Sequence, residues 1–200
     1  FYDVYDITGK LKEKGNVLCV LLGNGFINNN DFDIWQNETA PYRSAPKFSL
    51  ELTVDGKSII ESDESFLVAD SPITFDDFRC GERYDANLEM PNVLTSTSLD
   101  GFNKPITVEP PEGELIKNTT QPIKEYRERK AVSITKTEKG YVYDFGLNDT
   151  GIPRLKITAK KGQRIDLYFA ETIDDNGVDF RSISFVKSNL EYVQHDVYIC

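Results

Sequence analysis

The stretch KFSLELTVDGKSIIES, residues 47–62, decides the fold. Leu50, Leu52 and Val54 alternate with Ser49, Glu51 and Thr53, the two-residue period of a strand with one buried and one wet face. Asp55-Gly56 follows, a pair that accepts the positive φ angles of a tight hairpin turn. Ile59 and Ile60 then resume a strand composition. The stretch predicts an antiparallel hairpin.

The same signal recurs outward from it. NVLCVLLG (16–23), KAVSITKT (130–137), GYVYDFG (140–146), RLKITAKKG (154–162), QRIDLYFAE (163–171) and EYVQHDVYIC (191–200) are short and rich in β-branched or aromatic residues. Gly, Asp, Asn or Pro bounds them, as expected of strands. Helical pattern is scarce: DITGKLKEKGN (6–16) and PITFDDF (72–78) each suggest one short turn. The expected class is all-β. Five of the nine prolines fall within 91–122, and Pro110-Pro111 cannot continue a ladder. A boundary is therefore expected near Glu112–Glu114, giving β units at 1–112 and 113–200, each a β-sandwich.

The bulk numbers fit such a protein. In 200 residues, 39% are hydrophobic and 28% charged, which suits globular units rather than a disordered chain. The net charge of −10 repels phosphate backbones, so nucleic acid is not an expected partner. No apolar run approaches the ~20 residues of a membrane helix, so no membrane partner is expected either. The chain starts at Phe1 inside a hydrophobic pattern and ends likewise at Cys200, so it reads as a piece of a larger protein. The compartment stays open between cytoplasm and secretion. Cys19, Cys80 and Cys200 are too few and too widely spaced for a zinc knuckle or a disulfide framework. Cys19 reads as a small core residue. The single histidine, His195, leaves no Ser-His-Asp or multi-histidine arrangement to consider and reads as a strand surface residue.

Three stretches could carry chemistry. LGNGFINNNDFDIW (22–35) joins amides, carboxylates and aromatic faces in one loop. Sugar hydroxyls need fixed donors and acceptors, and a sugar's C–H face packs on rings. Asn24, Phe26 and Trp35 are the carbohydrate-binding candidates. Asn24 and Asn29 are also candidate oxygen ligands for calcium. The plainer reading of the same residues is an ordinary Asn-rich loop with Trp35 in the core. CGERYDAN (80–87) holds Glu82 and Asp85, a carboxylate pair of the kind that hydrolyses glycosidic bonds. An Arg83–carboxylate pairing at a strand end is the plainer reading. VYDFGLNDTGIPRL (142–155) reads as a turn between strands, closed by Asn148 and Asp149, with Gly151 in a left-handed position.

In order, these pieces resemble the non-catalytic β-domains of bacterial α-L-rhamnosidases of glycoside hydrolase family 78. YDVYDITGKLKEKGNVLCVLLGNGF (2–26) is similar to the family's strand, polar turn and Leu-Gly-Asn-Gly-Trp. SDESFLVADSPITFDDFRCGERYDAN (62–87) resembles its Thr-Asp-x-Ser-Trp and Gly-Glu-x-Tyr-Asp-Ala-Arg. EPPEGELIKNTTQPIK (109–124) resembles its linker, and VYDFGLNDTGIPRLKI (142–157) and GQRIDLYFAETIDDNGVDF (162–180) resemble strands of the following domain. Phe26, Phe66, Asn87 and Leu147 depart from the family's Trp, Trp, Arg and Gln.

The resemblance implies a jelly-roll sandwich, in some members a calcium-assisted rhamnose-binding module, followed by a concanavalin-like sandwich. It also implies that catalysis belongs to an (α/α)6 barrel further along the parent. No catalytic residue is then expected in this chain, and its partners would be a rhamnose-containing glycan and its own C-terminal catalytic barrel. A pure scaffold and a stand-alone carbohydrate-binding or adhesion protein are the alternatives.

Overall fold

The computed structural model describes residues 1–29, 39–95, 100–110, 112–174, 177–183 and 194–200. They form an all-β structure. In chain order the strands are β1 (Glu51–Val54), β2 (Lys57–Glu61), β3 (Ile73–Asp77), β4 (Gly81–Asp85) and β5 (Ser133–Thr137). There follow β6 (Gly140–Asp144), β7 (Arg164–Tyr168), β8 (Thr172–Asp174), β9 (Gly177–Asp179) and β10 (His195–Ile199). Short 3-10 turns such as Thr8–Lys10 and Ala86–Leu88 break the pattern.

The deciding hairpin forms as its sequence dictates. β1 and β2 pair antiparallel, closed by Val54↔Lys57. Asp55 and Gly56 take φ of 50° and 74°, the two positive angles of a turn whose twist matches the strands. β5 and β6 make a second hairpin from Ser133↔Asp144 to Thr137↔Gly140, and β8 and β9 a third, which sequence patterning did not disclose.

The remaining four strands form one sheet in the order β3-β4-β10-β7. β3–β4 and β10–β7 are antiparallel, whereas β10 runs parallel to β4. β10 is thus paired on both sides. Its Val197 is buried at 4% exposure. Strands on either side of the expected 112–114 boundary therefore share this sheet.

Four expectations change. PITFDDF is not a helical turn, because Ile73–Asp77 pairs with Gly81–Asp85; cross-strand partners outweigh a weak local preference. NVLCVLLG and RLKITAKKG have strand composition but lie outside every ladder. A strand needs a neighbour for its N–H and C=O groups, and composition supplies none. Cys19 is accordingly exposed rather than in the core. All three cysteines are free.

Candidate functional site

The Asn24 loop is fastened to β3 by one carboxylate. Asp76 Oδ2 accepts the Asn24 backbone N–H at 2.7 Å, and its Oδ1 accepts the Asn24 side-chain amide at 2.6 Å. The Asp76 carbonyl takes the same amide at 3.3 Å. Asn24 Oδ1 in turn accepts from Asn28 Nδ2, and Asn28 N donates to the Asn24 carbonyl at 3.1 Å. Arg43 Nε reaches Asn28 Oδ1 at 3.4 Å. Gly25, with φ of 51°, turns the chain between them, while Gly23 brings its backbone against Asp76 Oδ2.

Beside this polar clasp lies an aromatic pair. Phe26 is 65% exposed, and its ring centre is 4.3 Å from that of Phe78. Arg79 lies over the Phe78 ring at 5.1 Å. A half-buried amide network next to an exposed ring pair is the chemistry a sugar requires: directional partners for hydroxyls and an apolar face for C–H groups.

The structure thus brings Asn24 and Phe26 to one end of the sheet, with Asn29 in the same loop. Asn29 is buried at 2% exposure, so a solute from water meets Asn24, Asn28 and Phe26 first. Trp35, with Asp31 and Asp33, lies outside the described residues. Among the described residues no group of three or more His, Cys, Asp or Glu side chains could hold a metal ion. Asp76, Phe78 and Arg43 are additions that sequence reasoning missed. Asp76 is 52 residues from Asn24, and the only hint was the doubled aspartate of TFDDF.

The electrostatics around Asp76 are negative. Its register partner on β4 is Glu82, and Asp196 Oδ1 on β10 accepts the Glu82 N–H at 2.9 Å. Partial burial first, then Asp196 and Asp76, push the Glu82 carboxyl above its ordinary value. This acidic side adjoins two guanidinium groups, Arg43 at Asn28 and Arg79 over the Phe78 ring.

Glu82 and Asp85 do not form a hydrolytic pair. They lie three residues apart on β4, so the pleat sends their side chains to opposite faces. Asp85 instead caps the Ala86–Leu88 turn through Asn87 N. Among the described residues Arg83 pairs with no carboxylate; it sits over the Phe75 ring at 4.8 Å. Burial, then Asp77, push the Cys80 thiol up to about 11, which keeps it from acting as a thiolate near neutrality. His195 occupies the expected strand, stacked on Tyr168 at 4.1 Å with Nε2 2.8 Å from Asp166 Oδ1.

The 142–155 stretch is a turn held from outside. Asp144 Oδ1 accepts Gly146 N at 2.7 Å, and Gly146 rather than Gly151 takes the left-handed angle, φ 76°. Asp149 pairs with Arg127 at 2.7 Å and Arg129 at 3.4 Å. Arg154 faces Glu125 and Glu128. These ion pairs clip the turn to residues 125–129.

Comparison with known proteins matches the chain in two stretches. Residues 1–127 match the family described as the alpha-L-rhamnosidase N-terminal domain. Residues 134–200 match the bacterial alpha-L-rhamnosidase concanavalin-like domain. An alpha-L-rhamnosidase of Formosa agariphila is 32% identical over 193 residues, covering 90% of this chain and 20% of that protein. One from an Alteromonas strain is 24% identical over 186 residues, 84% and 19% respectively. The alpha-L-rhamnosidase structure from Dictyoglumus thermophilum superposes with a TM-score of 0.60 at 30% identity, covering 73% of this chain and 16% of that one. The native enzyme from Aspergillus terreus gives 0.62 at 25% identity, over 72% and 16%. The chain spans about a fifth of the length of the curated relatives it matches.

Proposed function

The chain belongs to the α-L-rhamnosidase family, and on that footing we propose that it is the non-catalytic β-portion of a glycoside hydrolase that releases terminal L-rhamnose. Its work is to support and orient an (α/α)6 catalytic barrel elsewhere in the parent protein. The observation that carries this reading is the match of residues 1–127 and 134–200 to the N-terminal and concanavalin-like domains of alpha-L-rhamnosidases, in a chain that covers about a fifth of the relatives' length. Ile123, Tyr126, Ile134 and Ile152 are among the large apolar side chains left open for contact with further protein.

The test compares the parent protein with this chain on an aryl α-L-rhamnoside. The parent is expected to release the aglycone and the 200-residue chain to release none. Hydrolysis by the chain alone, or an inactive but folded parent, overturns the reading.

The Phe26–Phe78 pair beside Asn24 favours a second role, the holding of rhamnosyl glycans. A calorimetric titration of the chain with L-rhamnose checks it, once with calcium and once with chelator. Binding that weakens in N24A and F26A supports the role. Loss of heat with chelator makes calcium part of the site. No heat from folded chain in either buffer leaves a pure scaffold.

A further inference from the structure

β10 is where the two matched stretches meet. β3 and β4 fall within residues 1–127, and β7 and β10 within 134–200. Yet Val197, Tyr198 and Ile199 pair in parallel with Arg83, Tyr84 and Asp85. A parallel pair cannot arise from a tight turn, so this contact is a long-range choice of the fold. It is fastened along its length. His195 N donates to the Cys80 carbonyl at 3.1 Å, and Glu82 N donates to Asp196 Oδ1 at 2.9 Å. Tyr84 and Tyr198 stack at 5.3 Å with their planes 2° apart. Asn87 Nδ2 reaches the Cys200 carbonyl at 3.4 Å.

Gly81 stands at the entry to this seam with φ of 100°. A Cβ there would collide with the His195 carbonyl oxygen and would lie 2.6 Å from Asp196 Oδ1 and 2.8 Å from the His195 carbonyl carbon. Two of these three atoms are strand backbone, which cannot swing aside as a long side chain can. The absence of a side chain at Gly81 is what lets β10 lie against β4.

We propose that Gly81 is the seat that admits β10, and that β10 is the strap that makes the N-terminal and concanavalin-like stretches open and close as one cooperative unit. The strap sets the placement of the second stretch on the first without any ligand. Its innermost link is one strand from the Asn24 clasp, since Glu82 is the register partner of Asp76.

Hydrogen exchange of the 200-residue chain tests this, because it reads each strand separately. In the unaltered chain, amides of β4, β10 and β7 are expected to share one protection level, distinct from that of the β5–β6 hairpin. G81A is expected to speed exchange in all three strands by on the order of a hundredfold, leaving β5–β6 unchanged. D196A leaves the Gly81 backbone alone and removes the acceptor of Glu82 N, together with the charge that raises the Glu82 carboxyl. It is expected to speed exchange about tenfold in β4 and β10 together, the scale of one hydrogen bond to a charged group. A rise confined to Glu82 in D196A, or a β10 that loses protection while β4 keeps it, overturns the proposal. So do different protection levels for β4 and β10 in the unaltered chain.

Discussion

β10 and the β5–β6 hairpin come from the same kind of sequence and end in opposite surroundings. HDVYI and SITKT each place a β-branched aliphatic, Val197 and Ile134, between polar neighbours or beside an aromatic one, and β10 adds a second, Ile199. In β10, Val197 is buried between two neighbouring strands. In β5, Ile134 is 60% exposed, and every residue of the strand is open. The hairpin closes through its own two-residue turn and pays little loop entropy. β10 must find β4 from more than a hundred residues away, and burial comes with that distant partner. Alternation therefore encodes the strand, while the partner encodes the core.

The largest effect expected from this contrast is at Val197. V197A removes two buried methyl groups and should cost about 2 kcal/mol, including the space they leave. I134A should stay within about 0.5 kcal/mol in this chain, as surface substitutions do. Urea midpoints of the two variants check the pair. Equal losses would mean that the hairpin is covered after all, and the contrast would fall. In the whole parent protein I134A should cost more than in the isolated chain, provided the catalytic barrel covers it.

Next in size is the Asn24 clasp. D76A removes the acceptor of the Asn24 backbone and side-chain N–H groups. It should cost about 1.5 kcal/mol, the lower range for hydrogen bonds to a charged group, read as a lowered urea midpoint. F26A, at an exposed ring, should leave that midpoint in place and lower only sugar binding. A matched loss in both variants would turn the ring pair from a binding face into a packing contact.

These contrasts also explain what the sequence could disclose. The β1–β2 hairpin was legible to the residue because Asp55-Gly56 dictates its own φ angles and the flanking alternation agrees. The β8–β9 hairpin was not, since GVD and TID are too short to carry a period. NVLCVLLG misled because an apolar run states a wish for burial and not a partner. At the site, Asn24 and Phe26 were readable because loop composition is local. Asp76 and Phe78 were not, because they reach the loop only through the pairing of β3 with β4. The misplacement of PITFDDF as a turn hid both.

The smallest effects carry the sharpest sign. Asp166 and Glu82 lie on the same four-stranded sheet and respond oppositely to pH. The Arg164 guanidinium, then His195, hold the Asp166 carboxyl below 3.8. Its folded pKa is depressed, so its contribution is full above 3.8 and is lost as pH falls through the folded value. Glu82 is pushed above 4.5. The fold prefers its neutral form, so stability is full below 4.5 and declines as pH rises through the raised value. D166N should therefore lower the urea midpoint at pH 7 and lose this effect well below pH 3.8. E82Q should raise the midpoint at pH 7 and change nothing below pH 4.5. Each substitution removes one negative charge from a chain of net charge −10. If general repulsion governed the sheet, both would stabilise it at pH 7 and by the same route. Opposite signs at pH 7 would instead assign each carboxylate to its own neighbours: Asp166 to the guanidinium beside it, and Glu82 to the crowded acidic seam under β10.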